Sequence, residues 1–363
     1  MADDAAAPSR AALDELLRTI EAVDADYLGA LTGEELAVGH RALVHLLGAG
    51  LDMFFDTDAR EPSFRRAHWS DRKFFGDNAD CIYYVAPVDP AYEYRIRGNI
   101  AGAAYTSFAV DGGGIDERYP PARIVSSIHD GAFDVAADGS FEIVVSTAEH
   151  NRNWLRLEPD AASISTRHYF EQVEPVAADP LVHIPLEIEV IGSAPSRPHA
   201  DETVARDIRR LDTFVRALTI GTGRRPGAPP PDGAPPPNRF NAPTEWKPGG
   251  YGAVDIVNMI TRYDLASDEA LVIEGRFPPC RWAGIALWNR YLQTLDYRHH
   301  RVSLNRAQLV LEPDGSFRAV VSERDPGGPN WIETTGENAG TIFVRVILPE
   351  AAVTPLTATV TNV

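Results

Sequence analysis

The feature that most restricts how this chain can fold is a series of short motifs that occurs twice in the same order. The sequence DGSF occupies residues 138–141 and again 314–317, and Asn-Trp occupies residues 153–154 and again 330–331. Three further pairs have similar spacing: Gly98 with Gly275, residues 144–146 with 320–322, and Arg167 with Arg345. The copies lie between 176 (314 − 138) and 178 (345 − 167) residues apart, which isolated Asp-Gly turns would not produce. The sequence therefore predicts two similar modules rather than a solenoid of short repeats.

Alternating side chains indicate that both modules are built from β-strands. Residues 92–97 alternate aromatic or aliphatic side chains with charged ones, and apolar residues alternate in the same way over 141–145. This period of two is typical of strands with one buried face. Gly, Pro and Asp turns separate short strands up to about residue 192, and strand patterns resume near Ala270. We therefore expect a mainly β chain with two repeated jelly-roll-like β-sandwich modules, each of about eight strands.

Helical patterns precede each group of strands. Apolar residues spaced by three or four positions run through residues 13–23 and 36–54, and they predict an N-terminal helical hairpin. Thr32 and Glu35 have the spacing of a capping box at the start of the second helix. A third helical pattern covers residues 204–218. We therefore expect a helix just before the second module.

A Pro- and Gly-rich stretch at residues 221–243 cannot bury a core and predicts a solvated linker. It completes the expected division of the chain. The predicted units are a helical N-terminal region (1–60), a first β-sandwich module (61–192), a helix with linker (193–250) and a second β-sandwich module (251–363).

Charge and composition exclude several classes of protein. The net charge of −18 disfavours binding to nucleic acid or to anionic membranes. Two cysteines cannot form a disulfide framework, the first ten residues lack the apolar segment of a signal peptide, and no apolar run is long enough to span a membrane. The motifs of serine hydrolases, zinc peptidases, phosphate-binding loops and dinucleotide-binding loops are missing. We therefore expect a soluble, cytoplasmic protein with no organic redox cofactor.

Several segments carry a resemblance to known bacterial sequences. Residues 76–90 (GDNADCIYYVAPVDP) resemble the asparagine–aspartate–tyrosine signature of domain of unknown function twelve fifty-four. Residues 282–291 (WAGIALWNRY), 311–317 (LEPDGSF) and 327–333 (GGPNWIE) are similar to its usual partner, domain of unknown function twelve-fourteen. The resemblance implies tandem jelly-roll domains, a fold shared with some glycan-processing enzymes and viral coats.

This resemblance covers roughly residues 70–175 and 270–350. The chain departs from the expected pattern at Ala79, Cys81 and residues 286–287, and it adds an acidic helical N-terminus. The resemblance implies no settled activity, so fold similarity assigns no reaction to this chain.

The segment 76–84 is the first candidate site, because it places carboxylates, an amide and two phenols at the entry to a predicted strand. Asp80 would act as a general acid or base if burial raised its pKa, and Tyr83 would donate a proton. We expect Asn78 and Tyr84 to bind the substrate. The alternative is a structural turn in which Asn and Asp accept backbone hydrogen bonds and the tyrosines pack in the sandwich.

Glu149 and His150 are the second candidate, because a carboxylate beside an imidazole suits acid–base catalysis. The Asn-Trp pair that follows them recurs at residues 330–331, where the histidine is missing. We therefore expect the shared Asn-Trp to be structural, whereas Glu149 and His150 are free to be catalytic.

Residues 166–169 form a predicted strand, so Arg167 and Tyr169 share one face and His168 occupies the other. An inward-facing Arg167 would need a carboxylate partner or an anionic ligand. Arg167 and His168 are therefore candidate substrate-binding residues, and the favoured alternative for Arg167 is a structural ion pair.

Aromatic and arginine side chains gather in residues 281–291, on a further predicted strand. Trp282 and Trp288 are candidates to line an apolar or carbohydrate pocket, and the alternative places them in the sandwich core. No spacing of histidines supports a metal site, so none is expected. Cys81 is more typical of a small buried side chain than of a nucleophile.

Together these candidates favour an enzyme of hydrolase or lyase type, acting on a small apolar, aromatic or sugar-like molecule by carboxylate and tyrosine acid–base chemistry. The first module carries Asp80, Tyr83, Glu149 and His150, and the second lacks their equivalents. The alternative is a non-catalytic protein that binds a ligand or assembles into a homo-oligomer.

Overall fold

The computed structural model describes residues 7–113, 121, 123–193, 200–228, 233–245 and 253–363. Within these ranges the α-helices are α1 (Pro8–Ala22), α2 (Gly33–Phe54) and α3 (Asp201–Leu218), and a π-helical turn (Val23–Tyr27) extends α1. Two short 3-10 helices cover Val176–Ala178 and Ile220–Thr222.

The first group of strands lies between α2 and α3. Its members are β1 (Arg65–Arg66), β2 (Cys81–Pro87), β3 (Tyr94–Asn99), β4 (Tyr105–Gly112), β5 (Arg123–His129), β6 (Ser140–Ser146), β7 (Trp154–Arg156), β8 (Ala161–Tyr169) and β9 (Leu186–Val190). The second group follows α3. Its members are β10 (Thr244–Glu245), β11 (Ile256–Asp264), β12 (Glu269–Gly275), β13 (Trp282–Trp288), β14 (Ser303–Asn305), β15 (Phe317–Ser322), β16 (Trp331–Glu333), β17 (Ala339–Ile347) and β18 (Thr357–Asn362).

Each group of strands forms one five-stranded and one four-stranded sheet. In the first module the orders are β1-β2-β8-β4-β5 and β7-β6-β3-β9, and in the second they are β10-β11-β17-β13-β14 and β16-β15-β12-β18. Counted from the first strand of each module, the two strand orders are identical. The prediction of a mainly β chain with helices before each group of strands is confirmed, whereas jelly-roll topology and the domain boundaries stay predictions.

The recurring sequence motifs occupy matching positions in the two modules. Gly98 of β3 pairs with Phe141 of β6, and Gly275 of β12 pairs with Phe317 of β15. Any side chain introduced at Gly98 or Gly275 would collide with its neighbours, because its Cβ would lie under 3 Å from existing atoms. At Gly98 the close neighbours are the paired Phe141 ring and the Pro185 carbonyl, whereas at Gly275 the close neighbour is the Leu356 side chain.

Each module has its own apolar core between its two sheets. In the first module Tyr94, Ile96 and Ile143 are fully buried, as the alternating patterns predict. In the second module Leu271 and Ile285 are buried in the same manner.

The helices pack differently from the expected hairpin. α3 packs against both α1 and α2, and its Leu211 and Phe214 join the apolar cluster that contains Leu16 of α1 and Leu46 of α2. The hairpin prediction is wrong because α1 and α2 both pack their apolar faces against α3, which is distant in sequence. The capping box is also wrong, since Thr32 makes no side-chain hydrogen bond to the helix.

The Pro- and Gly-rich stretch is ordered along the second module over its described residues. Asn238 donates its backbone N–H to the carbonyl of Arg262, and Asn241 donates to the carbonyl of Ile260. These hydrogen bonds hold the stretch alongside β11, so its described part packs on the second module and is not a free linker. Residues 229–232 of this prediction lie outside the described residues.

Candidate functional site

The two modules meet through the outer faces of their five-stranded sheets. One apolar cluster joins three residues of the first module to three of the second: Cys81, Tyr105 and Tyr169 with Ile256, Trp282 and Ile347. These residues lie on β2, β4 and β8 and at the corresponding strands β11, β13 and β17. The candidate site lies at this junction, where polar side chains adjoin the apolar cluster.

Alternation along β8 decides which side chains reach the junction. Tyr169 packs on Trp282 of the second module, with the ring centroids 4.7 Å apart. Arg167 shares this face because it is two residues away in the same strand. His168 points the other way, into the core of the first module.

A chain of hydrogen-bonding groups crosses the junction. The Tyr83 hydroxyl lies 3.4 Å from the Tyr169 hydroxyl, which accepts a hydrogen bond from Arg345 Nη1 at 3.3 Å. Arg345 Nη2 donates to the carbonyl of Gly76 at 2.9 Å, and its guanidinium lies over the Phe343 ring. Burial raises the pKa of Tyr83 and of Tyr169, so both phenols stay protonated.

His68 completes the aromatic wall beside Tyr83. Its ring stacks on Phe74, with 3.9 Å between centroids, and meets the edge of Tyr83 at 4.7 Å. Burial, with smaller contributions from Arg66 and Arg345, lowers the pKa of His68 to about 3. The imidazole is therefore neutral at pH 7, and its buried Nδ1 has no hydrogen-bond partner in the described ranges.

Arg167 is the one cation of this face with no protein partner among the described residues. In register it lies between Tyr83 of β2 and Ser107 of β4. Its guanidinium makes no hydrogen bond or ion pair with any other described residue, and the side chain remains partly exposed. The structural ion pair favoured as the alternative for Arg167 is therefore not formed within the described residues.

A buried carboxyl lies farther along the same face. Asp111 is 3% exposed and lies within hydrogen-bonding distance of the Ser163 and Ser165 hydroxyls, at 3.2 and 3.3 Å. Burial raises the pKa of Asp111 to about 6, and the charge of Arg167 acts in the opposite direction. Arg167 thus acts on Asp111 through its charge, without a hydrogen bond or ion pair between the two side chains.

Asp80 lies at the entry to β2, as the sequence predicts, but its carboxyl group is buried. It is only 2% exposed, and burial raises its pKa to about 7, while a hydrogen bond from the Asn305 side chain of β14 lowers it. A carboxyl with such a pKa could exchange a proton near neutral pH. Its burial separates it from any molecule that contacts Arg167.

Three other candidate residues make the contacts of structural residues and not those of a binding site. Asn78 accepts a hydrogen bond from the backbone N–H of Asp80 at 2.8 Å, which is an Asx turn. The Tyr84 hydroxyl accepts one from the backbone of Ile184 at 3.0 Å, and His168 is fully buried. The structure therefore gives Asn78, Tyr84 and His168 the arrangement expected of turn and core residues.

Both candidate tryptophans of the second module donate hydrogen bonds to backbone carbonyls of the first module. Trp282 Nε1 donates to the carbonyl of Phe170 at 2.9 Å, and Trp288 Nε1 donates to the carbonyl of Asp77 at 3.0 Å. Trp282 is 1% exposed and Trp288 is 4% exposed. Their surfaces are occupied by protein atoms, so neither offers a free ring face to a ligand.

Glu149 and His150 lie far from Asp80. They follow β6, and His150 Nε2 is 3.5 Å from Glu93, the residue before β3. A short connection joins the end of β2 to the start of β3, whereas Asp80 precedes the start of β2, and the seven residues of β2 span about 20 Å. The structure does not bring the predicted catalytic pair Asp80 and Glu149 together.

Sequence reasoning missed His68 and gave no role to Asp77. Asp77 is 1% exposed, its Oδ1 accepts a hydrogen bond from the Thr294 backbone, and its Oδ2 has no partner among the described residues. Arg345 was detectable, because it occupies in the second module the repeat position of Arg167. No local pattern marks His68, which reaches Tyr83 from an irregular segment.

Within the described ranges, no group of three or more His, Cys, Asp and Glu side chains is arranged to hold a metal ion. The described helices include none with the length and apolarity needed to cross a membrane.

Comparison with known families gives a match over part of the chain. Residues 262–351 match the family described as "Protein of unknown function (DUF1214)", the second of the two resemblances described above. The match covers less than half of the chain. Comparison with curated proteins finds no match.

Two solved structures are similar over nearly the whole chain. An uncharacterised protein from Burkholderia cenocepacia is 26% identical, with a TM-score of 0.80 over 97% of this chain and 96% of that one. A protein from Vibrio parahaemolyticus is 10% identical, with a TM-score of 0.51 over 94% of this chain and 100% of that one. The second similarity shows the fold alone, and neither description gives an activity.

Proposed function

We propose that the chain binds a small carboxylate-bearing molecule at the junction, and that Arg167 holds the carboxylate. The observation that carries this proposal is the partly buried, unpaired guanidinium of Arg167. A guanidinium matches a carboxylate through two parallel hydrogen bonds, which are about twice as strong as neutral ones. An anionic ligand would supply the partner that the described protein residues do not.

The surroundings of Arg167 favour an aromatic or apolar body for this ligand. Tyr83 stands beside Arg167 in register, and the rings of His68 and Tyr169 lie within 7 Å of the Tyr83 ring, at 4.7 and 6.4 Å between centroids. Aromatic side chains favour edge-to-face contact with a second ring. Benzoate is therefore a suitable first probe.

Replacement of Arg167 with glutamine should weaken benzoate binding about 10- to 100-fold, because a charge-assisted hydrogen bond contributes roughly 1.5–3 kcal/mol. Isothermal titration with benzoate measures the change, and uncharged benzamide should bind wild type and Arg167→Gln equally. The matched control is Arg276→Gln, which removes an exposed arginine paired with Asp314. Equal benzoate affinity in wild type and Arg167→Gln would contradict the proposal.

Acid–base catalysis at the junction is the second candidate function, in line with the hydrolase or lyase expectation. It is supported by the protonated Tyr83 hydroxyl, which lies 3.4 Å from that of Tyr169, and by the neutral His68 ring against Tyr83, whose Nδ1 has no partner among the described residues. Catalysis by Asp80, Glu149 and His150 stays a prediction with weaker support, since Asp80 is sealed and the other two lie elsewhere.

Replacement of Tyr83 with phenylalanine should abolish conversion of a bound carboxylate while leaving its affinity within about 5-fold, since one neutral hydrogen bond contributes about 1 kcal/mol. The measurement is mass spectrometry of carboxylates incubated with wild type and with Tyr83→Phe. If wild type returns every bound compound unchanged, the catalytic candidate is rejected and the binding proposal stands.

We further propose that the two modules are copies of one jelly-roll unit, and that the first belongs to domain of unknown function twelve fifty-four. Identical strand order and the matching positions of Gly98 and Gly275 support duplication. A cytoplasmic location is proposed from the two free cysteines.

A further inference from the structure

A cavity lies away from the junction, between the helices and the second module. Its volume is about 190 Å³. The π-helical turn after α1, the middle of α2, the residues after α3 and the loop after β13 supply its walls. This site does not depend on the proposed function of the junction.

Most of the cavity wall is apolar, and two phenols interrupt it. Leu28, Leu43 and Leu46 contribute aliphatic side chains, and Tyr27 and Tyr291 contribute hydroxyls. The Tyr291 hydroxyl is buried and has no hydrogen-bond partner among the described residues. Burial raises the pKa of Tyr27 and of Tyr291 to about 12, so both hydroxyls can donate. A buried hydroxyl without a partner is costly unless a ligand or water satisfies it.

One cation at the cavity is unpaired and another is not. Arg290 forms an ion pair with Glu35 at 2.9 Å. Arg224 is exposed, makes no side-chain bond to a described residue, and lies close enough to lower the pKa of Tyr27 against the effect of burial. Among its described lining residues, the cavity therefore presents one free positive charge, at its exposed side.

We infer that this cavity is a binding site for a small apolar monocarboxylate, with the hydrocarbon body among the leucines and the carboxylate at Arg224. The volume suits this class, because a dry apolar cavity of about 150 Å³ accepts benzene. The ligand would have about ten non-hydrogen atoms, which is the size of octanoate. The unpartnered Tyr291 hydroxyl can donate a hydrogen bond to a molecule that fills the cavity.

Titration calorimetry with octanoate tests this site. Wild type is expected to bind octanoate at least 10-fold more tightly than octan-1-ol, which lacks the charge. Arg224→Gln should remove this preference, whereas the neighbouring Arg225→Gln should keep it. Hexadecanoate, which is too long for the cavity, should not compete.

A filling variant provides an independent readout. Leu43 lines the cavity and is 8% exposed, so Leu43→Trp should occupy the space and abolish octanoate binding. Because that change could also disturb folding, Tyr291→Phe is measured in parallel and should weaken binding about 3- to 10-fold. Absence of octanoate binding to wild type, or unchanged binding in Arg224→Gln, overturns the inference. Arg167→Gln should leave octanoate binding intact, so failure of one site is distinguishable from failure of the other.

Discussion

Replacement of Trp282 with alanine is expected to lower the free energy of unfolding by about 3–5 kcal/mol. The indole is 1% exposed, packs on Tyr169 of the other module and donates a hydrogen bond to the Phe170 carbonyl. Its removal leaves a cavity between the modules and an unsatisfied carbonyl. Urea unfolding followed by circular dichroism measures the loss.

Trp154→Ala is the matched control for this experiment. Trp154 also donates its indole N–H to a backbone carbonyl, that of Ser146 at 3.2 Å, but it is only half-buried at the edge of one module. Trp282→Phe, which keeps part of the ring packing, should fall between the two alanine variants. If Trp282→Ala costs no more than Trp154→Ala, the junction contributes little to stability.

Asp80→Asn is expected to stabilise the protein at alkaline pH. The pKa of Asp80 is raised by burial from 3.8 to about 7 in the folded state. Between about pH 4 and pH 7 the folded chain therefore holds a proton that the unfolded chain has released. Unfolding releases that proton, so a rise in pH favours unfolding, by up to about 1.4 kcal/mol per pH unit.

The gain from Asp80→Asn over wild type should thus grow by up to about 4 kcal/mol between pH 4 and pH 8. Urea unfolding at both pH values measures it, and comparison with wild type cancels the contributions of other titrating groups. Asp138→Asn is the control, because serine hydrogen bonds hold the pKa of Asp138 below its usual value, so its removal should bring no gain. A pH-independent difference between Asp80→Asn and wild type would show that Asp80 is ionised throughout.

Local periodicity was sufficient to predict the elements that present the site. The strand containing Arg167 and the helix over residues 204–218 both follow from patterns of two and of 3.6 residues. The face on which Arg167 lies is a local property, since it depends only on alternation. The residues that cover that face come from distant parts of the chain, so local periodicity does not predict them.

The burial of Asp80 shows why the candidate site itself could not be predicted. The residue that hydrogen-bonds to its side chain, Asn305, lies more than 200 positions away in the second module. Tyr169 and Arg345 are likewise 176 positions apart, and their contact depends on how the outer sheet faces meet. Contacts between surfaces that are distant in sequence cannot be predicted from the spacing of neighbouring residues.

The packing of α3 against α1 has a consequence for how the chain is made. Ser9, at the start of α1, donates hydrogen bonds to Asp201 at the start of α3, and Leu16 packs in the same cluster as Phe214. During synthesis on the ribosome, α1 and α2 emerge long before this partner exists. Their apolar surface can be covered in the native manner only after residue 218 has been translated, so a fragment that ends with the first module would expose it to chaperones and to aggregation.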